Sequence, residues 1–276
     1  MRFGYHTITW GGVVGDPVGV TSVKDLFYRA NGDMVRAVED IASAGYEGLE
    51  MFDGNVADYA DRPEELHRLL REHGLELVSV YSGGNFIYDE ILDEELDRVR
   101  KAAELAATFG AANLVVGGGA RRASGTRPQD YERLGAALDR VCDLAKAHGL
   151  HACYHPHLST IVESSEELDR LMPHTRIDFC PDTAHLAAGG SDPAALIRRY
   201  GDRIRHVHLK DLRREPLGFL PLGEGEVDFP EVMAALSEVG YDGWVIVELD
   251  SHEGDPREAA VQSKAYLDRL LAGPQA

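Results

Sequence analysis

Amphipathic helical stretches alternate along this chain with short runs of strand-forming residues, and a glycine marks the passage from one to the next. The unit appears as Ile41-Ala42-Ser43-Ala44-Gly45 ahead of Gly48-Leu49-Glu50-Met51-Phe52. It returns with Gly74 ahead of residues 75–81, Gly110 ahead of 113–119, Gly149 ahead of 150–157 and Gly240 ahead of 244–250. A glycine just past a helix takes the left-handed capping conformation at little steric cost. Helix starts are marked as well: Pro63-Glu64-Glu65, Ser164-Ser165-Glu166-Glu167 and Ser191-Asp192-Pro193 place acids or proline in a first turn.

The pattern predicts strands over residues 2–8, 48–52, 75–81, 113–118, 150–155, 176–182, 204–210 and 243–249, with a C-terminal helix over 257–272. Strands separated by helices of ten or more residues imply parallel βαβ units. The 276 residues match the roughly 250 that one α/β barrel needs, and no low-complexity linker interrupts them. An open doubly wound sheet would carry a Gly-rich phosphate loop after its first strand. Gly117-Gly118-Gly119-Ala120 and Gly223-Glu224-Gly225 do not fit that pattern. The expectation is an α/β fold, a single (β/α)8 TIM barrel domain over 1–276.

Several strands end in chemistry. Cys180-Pro181-Asp182-Thr183-Ala184-His185, His206-Val207-His208-Leu209-Lys210-Asp211 and Trp244-Val245-Ile246-Val247-Glu248-Leu249-Asp250 each pass from apolar residues into metal-binding or proton-carrying ones. Catalytic groups of such barrels sit at the C-terminal strand ends. Side chains alternate along a strand, so His206, His208 and Lys210 share a face, as do Asp178, Cys180 and Asp182, or Ile246, Glu248 and Asp250. In the fifth strand His151, Cys153, His155 and His157 go together, and in the second Gly48 and Glu50. If these faces point inward, so many titratable groups share a buried mouth only when opposite charge compensates them. One hard or borderline divalent cation would do so. The plainer readings are Asp182 as a helix cap, His208 as a hydrogen-bonded core histidine, and Glu248 paired with Lys210. Asp211 and Asp250 read as loop or capping residues, and His185 either supports Asp182 or touches substrate.

The net charge of −19 speaks against nucleic acid and against an anionic membrane surface. Cys142, Cys153 and Cys180 show no CxxC spacing and read as free thiols, which predicts a reducing cytoplasm. The first residues lack a charged leader and apolar core, and no apolar run approaches the length of a membrane span.

At DTAH (182–185), HVHLKD (206–211), LGEGEVDF (222–229) and GYDGWVIVE (240–248) the chain resembles the xylose-isomerase-like barrel superfamily of sugar isomerases, epimerases and related lyases. The stretch Tyr154-His155-Pro156-His157-Leu158-Ser159-Thr160-Ile161-Val162-Glu163, with Phe3-Gly4 and Thr9-Trp10-Gly11, is similar to its inosose-dehydratase branch. The resemblance implies a Mn2+, Co2+ or Mg2+ ion held by Asp182, His208, Glu248 and a fourth group following strand five. Glu163 is the favoured fourth ligand, folding back over the mouth, with His155 and His157 left for substrate or proton transfer. The other arrangement makes His155 the ligand and Glu163 a capping or substrate residue.

The activity implied is removal of a proton beside the carbonyl of a keto-sugar or keto-cyclitol through a cation-stabilised enediolate, leading to isomerisation, epimerisation or dehydration. Glu248, Glu163, His155 and His157 are the candidate proton carriers. Lys210, Glu50, His185 and Trp10 are candidate substrate contacts, with an ion pair for Glu50 and core burial for Trp10 as alternatives. Arg121 or Arg122 could grip a phosphate. The implied partner is a small sugar or cyclitol, and many such barrels form homodimers. An endonuclease acting at abasic DNA would need a basic face, and a catalytically silent barrel acting as a binding or assembly protein would hold no metal.

Overall fold

A computed structural model describes residues 1–11 and 28–273. Its first half runs β1 (Arg2–His6), α1 (Met34–Ser43), β2 (Gly48–Phe52), α2 (Asp53–Ala57), α3 (Pro63–His73), β3 (Glu76–Gly84), α4 (Leu92–Thr108) and β4 (Asn113–Gly118). It continues with α5 (Pro128–Ala147), β5 (His151–His155), α6 (Ser165–Leu171), β6 (Asp178–Phe179), α7 (Thr183–Ala188) and α8 (Pro193–Tyr200). The last part is β7 (Val207–Leu209), β8 (Asp211–Arg214), β9 (Leu217–Leu220), α9 (Phe229–Glu238), β10 (Trp244–Val247) and α10 (Pro256–Ala272).

Eight strands pair in the order β6-β5-β4-β3-β2-β1-β10-β7, and the neighbours are parallel. Parallel bridges Phe179↔Ile204 and Asp182↔His208 join the two ends and close the barrel. The expected (β/α)8 architecture is therefore present. Helix starts follow the local chemistry: the Asp33 side chain accepts from Val35 and Arg36 N–H ahead of α1, and Ser164 and Glu167 form a capping box at α6. Gly74 ends α3 at φ 64°. The apolar stripes of α1 (Ala37, Val38, Ile41) and α3 (Leu66, Leu70) are buried, as are Leu49 and Met51 of β2, which lie on the face opposite Glu50.

Strands six and seven are shorter than the sequence pattern implies, two and three residues instead of 176–182 and 204–210. Pro181 has no N–H to extend a ladder, and its carbonyl accepts the His208 N–H at 2.9 Å. Two residues further on, Thr183 Oγ1 donates to the Lys210 carbonyl at 2.7 Å and accepts the Lys210 N–H at 2.9 Å. Irregular bonding thus replaces strand ladder along the closing seam.

The hairpin β8–β9 that follows is not evident in the hydrophobic pattern. Asp211 holds it in place: its carboxylate accepts the backbone N–H groups of Leu212 (2.9 Å), Gly223 (2.9 Å), Gly225 (2.8 Å) and Val227 (3.1 Å). Asp211 is expected in a loop or at a cap; it opens β8, and its carboxylate caps the backbone of the segment after the hairpin. Among the described residues no helix is long and apolar enough to cross a membrane.

All three cysteines are free, Cys153 and Cys180 fully inside and Cys142 half-buried. Burial pushes Cys142 up to about 11, leaving roughly one thiolate in a thousand at pH 8. Ellman titration of the native protein at pH 8 is expected to be slow at every thiol, and complete for all three only after denaturation.

Candidate metal centre at the barrel mouth

The C-terminal ends of β5, β6, β7 and β10 bring His155, Asp182, His208 and Glu248 together, with one ligand atom from each lying within 4.8 Å of the others. All four are buried. Asp182 does two jobs. Its Oδ1 accepts the His185 N–H at 2.7 Å, capping α7, and this turns Oδ2 towards His155 Nε2 at 3.6 Å. On the other side His208 Nδ1 stands 2.6 Å from Glu248 Oε2.

Asp182 Oδ2, both nitrogens of His155 and both of His208 have no aligned hydrogen-bond partner. Buried polar atoms are rarely left so, and one ligand atom from each of these residues lies within 4.8 Å of the others. Two carboxylates and two imidazoles make a donor set suited to a borderline divalent ion such as Mn2+, Co2+ or Zn2+. The residues present fit such a cation.

Charge around the cluster is tightly balanced. The Lys210 ammonium contacts Glu248 Oε1 at 2.9 Å, His185 Nε2 at 3.2 Å and the Asp250 carboxylate. Burial works against that ammonium, but Asp250 and Glu248 outweigh it and hold its pKa above the ordinary lysine value. Burial lifts Asp250 to about 7 despite Lys210. Burial likewise opposes the Glu248 carboxylate, and Lys210 and His208 hold it well below the usual range. The imidazolium of His208, penalised by burial, is held at about 10 by Glu50 and Glu248. At the rim, burial and the neighbouring His155 and Lys210 take His157 down to about 4. Its ring lies 3.7 Å, centroid to centroid, from that of His185.

Residues 38–270 match the family model described as Xylose isomerase-like TIM barrel. The chain belongs to this family. Inosose dehydratase of Geobacillus kaustophilus (strain HTA426) is 34% identical over 86% of this chain and 87% of its own length. Inosose dehydratase of Lacticaseibacillus casei is 31% identical over 87% and 90%. Among solved structures, D-psicose 3-epimerase from Clostridium cellulolyticum H10 superposes with a TM-score of 0.75 at 18% identity, over 97% of each chain, a likeness of fold. Like these members of the xylose isomerase-like barrels, the protein is an enzyme.

Within the family barrel, the sequence-derived site residues divide. Asp182, His208 and Glu248 converge as expected, and the position beside them is taken by His155. Glu163, the favoured fourth ligand, is engaged elsewhere. Its carboxylate pairs with Arg121 Nη2 at 2.9 Å and accepts the Ser159 N–H, because residues 158–163 turn back on themselves through bonds of Thr160 to His157 and Val162. Trp10 is turned away from the mouth: it packs edge-on against Tyr5 and donates its indole N–H to Asp40 of α1 at 2.9 Å. Glu50 lies below the cluster in contact with histidines, so its ion-pair reading is the one that holds. Lys210 spends its ammonium on protein groups. Asp250 is not a cap but the partner of Lys210. Arg121 and Arg122 are both committed, the latter to Asp130 at 2.9 Å.

Two groups escaped the sequence reading. His6 ends β1 beside Glu50, and alternation with Gly4 was the available signal. Phe219 of the hairpin lies against His185 and over the Lys210 ammonium at 4.2 Å, and no local pattern announces it.

Equilibrium dialysis against Mn2+ or Co2+ with elemental analysis checks the ligand set. The wild-type chain is expected to retain about one ion, and Asp182→Asn or His155→Gln to weaken binding by about 10–100-fold or more. Glu163→Gln is expected to bind within about threefold of wild type, since loss of a surface ion pair is worth only about 0–1 kcal/mol.

Proposed function

We propose that the protein is a divalent-cation-dependent dehydratase that removes water from a keto-cyclitol of the inosose class. The observation that carries this reading is the composition of the mouth: neutral imidazoles surround the cluster, and the carboxylates near it are already engaged. Glu248 is shared between Lys210 and the cluster, and Glu163 is paired with Arg121. Epimerisation through an enolate calls for proton carriers on both faces of the reacting carbon, whereas elimination can use one. The two inosose dehydratases described above, each similar over most of its length, support the same choice.

A divalent cation held by His155, Asp182, His208 and Glu248 would polarise the substrate carbonyl and acidify the neighbouring C–H. His157 is the residue suited to move that proton. Its Nδ1 lies 2.7 Å from the Leu158 carbonyl oxygen, so Nδ1 carries the hydrogen and Nε2 keeps a free lone pair. In the reaction Nε2 takes the proton, and the C–H electron pair becomes a C=C bond. The C–O bond to the β-hydroxyl breaks, and that oxygen leaves as water with the proton His157 returns. His185 holds His157 in place by ring contact.

The test is NMR of the metal-loaded protein in D2O with keto-inositols and ketohexoses. A keto-inositol is expected to lose water to an unsaturated or diketone product, with no turnover of ketohexoses. Deuterium wash-in or an epimer without elimination would replace this reading with an epimerase. His157→Gln is expected to lower kcat by about 100-fold or more with cation affinity unchanged, measured by steady-state kinetics and dialysis in parallel.

A further inference from the structure

Beneath the candidate metal centre lies a second buried polar layer that the proposed reaction does not use. Glu50 of β2 is its hub. Three imidazole Nε2 atoms approach its carboxylate: His206 at 3.0 Å on Oε2, His208 at 3.1 Å on Oε1, and His6 at 3.4 Å on Oε1. Ser79 Oγ donates to Oε2. Glu50, Ser79, His206 and His208 are completely buried, and His6 nearly so.

The approach is built by the sheet itself. The β2–β3 ladder pairs Leu49 with Leu77 but Glu50 with Ser79, so β3 carries one extra residue at this point. That bulge places the serine hydroxyl directly opposite the carboxylate. Both neighbouring histidines have their other nitrogen assigned. His6 Nδ1 accepts the Ile8 N–H at 2.9 Å, so its hydrogen is on Nε2. His206 Nδ1 faces Asn113 Nδ2 at 3.5 Å, which leaves Nε2 as donor to Glu50.

His208 belongs to both layers. Its Nδ1 is on the Glu248 side and its Nε2 on the Glu50 side. Neither Glu50 Oε1 nor His208 Nε2 makes an aligned hydrogen bond to a described residue, and the two atoms stand 3.1 Å apart. We infer that Glu50 is the positioning residue of the metal centre: it binds the Nε2–H of His208, fixes that tautomer, and aims the Nδ1 lone pair at the cation. A carboxylate behind a metal-binding imidazole both orients the ring and raises its basicity.

Glu50, His206 and His208 are also close enough together to hold a cation of their own. The proton assignments argue against a second ion there, because imidazole hydrogens already fill the space around the carboxylate. The lower layer is a proton-filled brace and the upper one a cation site. The metal half of this inference rests on the cation site proposed above, and the proton half does not.

The test uses Co2+ alone as probe, with the full chain labelled with 15N-histidine. In metal-free wild type, Nε2–H signals protected from solvent exchange are expected for His206 and His208. With Co2+ bound, His208 should give an exchangeable, hyperfine-shifted Nε2–H resonance, the mark of Nδ1 coordination. Glu50→Gln, with one oxygen acceptor fewer, is expected to lose that resonance, shift the visible Co2+ absorption and weaken binding by about 10–100-fold. Arg100→Ala, on the exposed face of α4 and paired there with Asp97 and Glu104, should bind Co2+ within about threefold of wild type, since a surface ion pair is worth only about 0–1 kcal/mol.

A Glu50→Gln protein with unchanged Co2+ affinity and spectrum overturns the inference, and so does a wild-type His208 coordinated through Nε2. If Glu50→Gln does not fold, the wild-type resonances still decide the tautomer. Wild type that shows the protected Nε2–H signals but binds no Co2+ overturns the cation site, and the positioning role with it.

Discussion

The whole mouth of the barrel depends on keeping charge balanced where water is scarce. Glu50, Asp182, Glu248 and Asp250 are all buried, and Lys210 is the buried lysine set against them. Isolated buried carboxylates are costly, and paired ones are tolerated only when their lone pairs are filled. The protein answers with histidines. Three of them serve Glu50, and Lys210 ties Glu248 to Asp250. What remains is the set of unpartnered atoms on His155, Asp182 and His208, with Glu248 beside them. A dication at that point would complete the balance.

The centre sits on the weakest seam of the barrel, and the two facts are connected. A regular ladder would commit every backbone group of strands six and seven and leave their side chains in simple alternation. Pro181 interrupts that ladder, the bridge at Asp182 and His208 restores closure, and Thr183 ties the seam to Lys210 on its far side. Asp182 then starts α7 while presenting its second oxygen to the cluster. One oxygen of this carboxylate caps the helix and the other is free to serve as a candidate ligand.

Above the seam, Asp211 folds the 221–227 segment under the β8–β9 hairpin and brings Phe219 over Lys210. The aromatic ring shields the ammonium and its carboxylates from solvent on one side. Low local dielectric strengthens each of those pairings. Fold and charge balance at the site are thus set by neighbouring segments of one short stretch of chain.

The barrel, its strand ends and the inward set Asp182, His208 and Glu248 were legible in the sequence, because period-two alternation and strand–helix spacing are local properties. Local pattern also showed that His206 and His208 share a face, but not that His206 faces Glu50 while His208 stands between Glu50 and Glu248. The role of Glu163 went the other way. Its distance along the chain from His155 suggested a fold-back onto the metal, and a tight turn delivered it to Arg121 instead. Trp10, Asp250 and the Glu50 brace were likewise decided by partners 30 or more residues away. The sequence determined which chemistry stands at the end of each strand. Only the tertiary structure decided which of those groups touch, because closing a cylinder sets distances between strands that no single strand encodes.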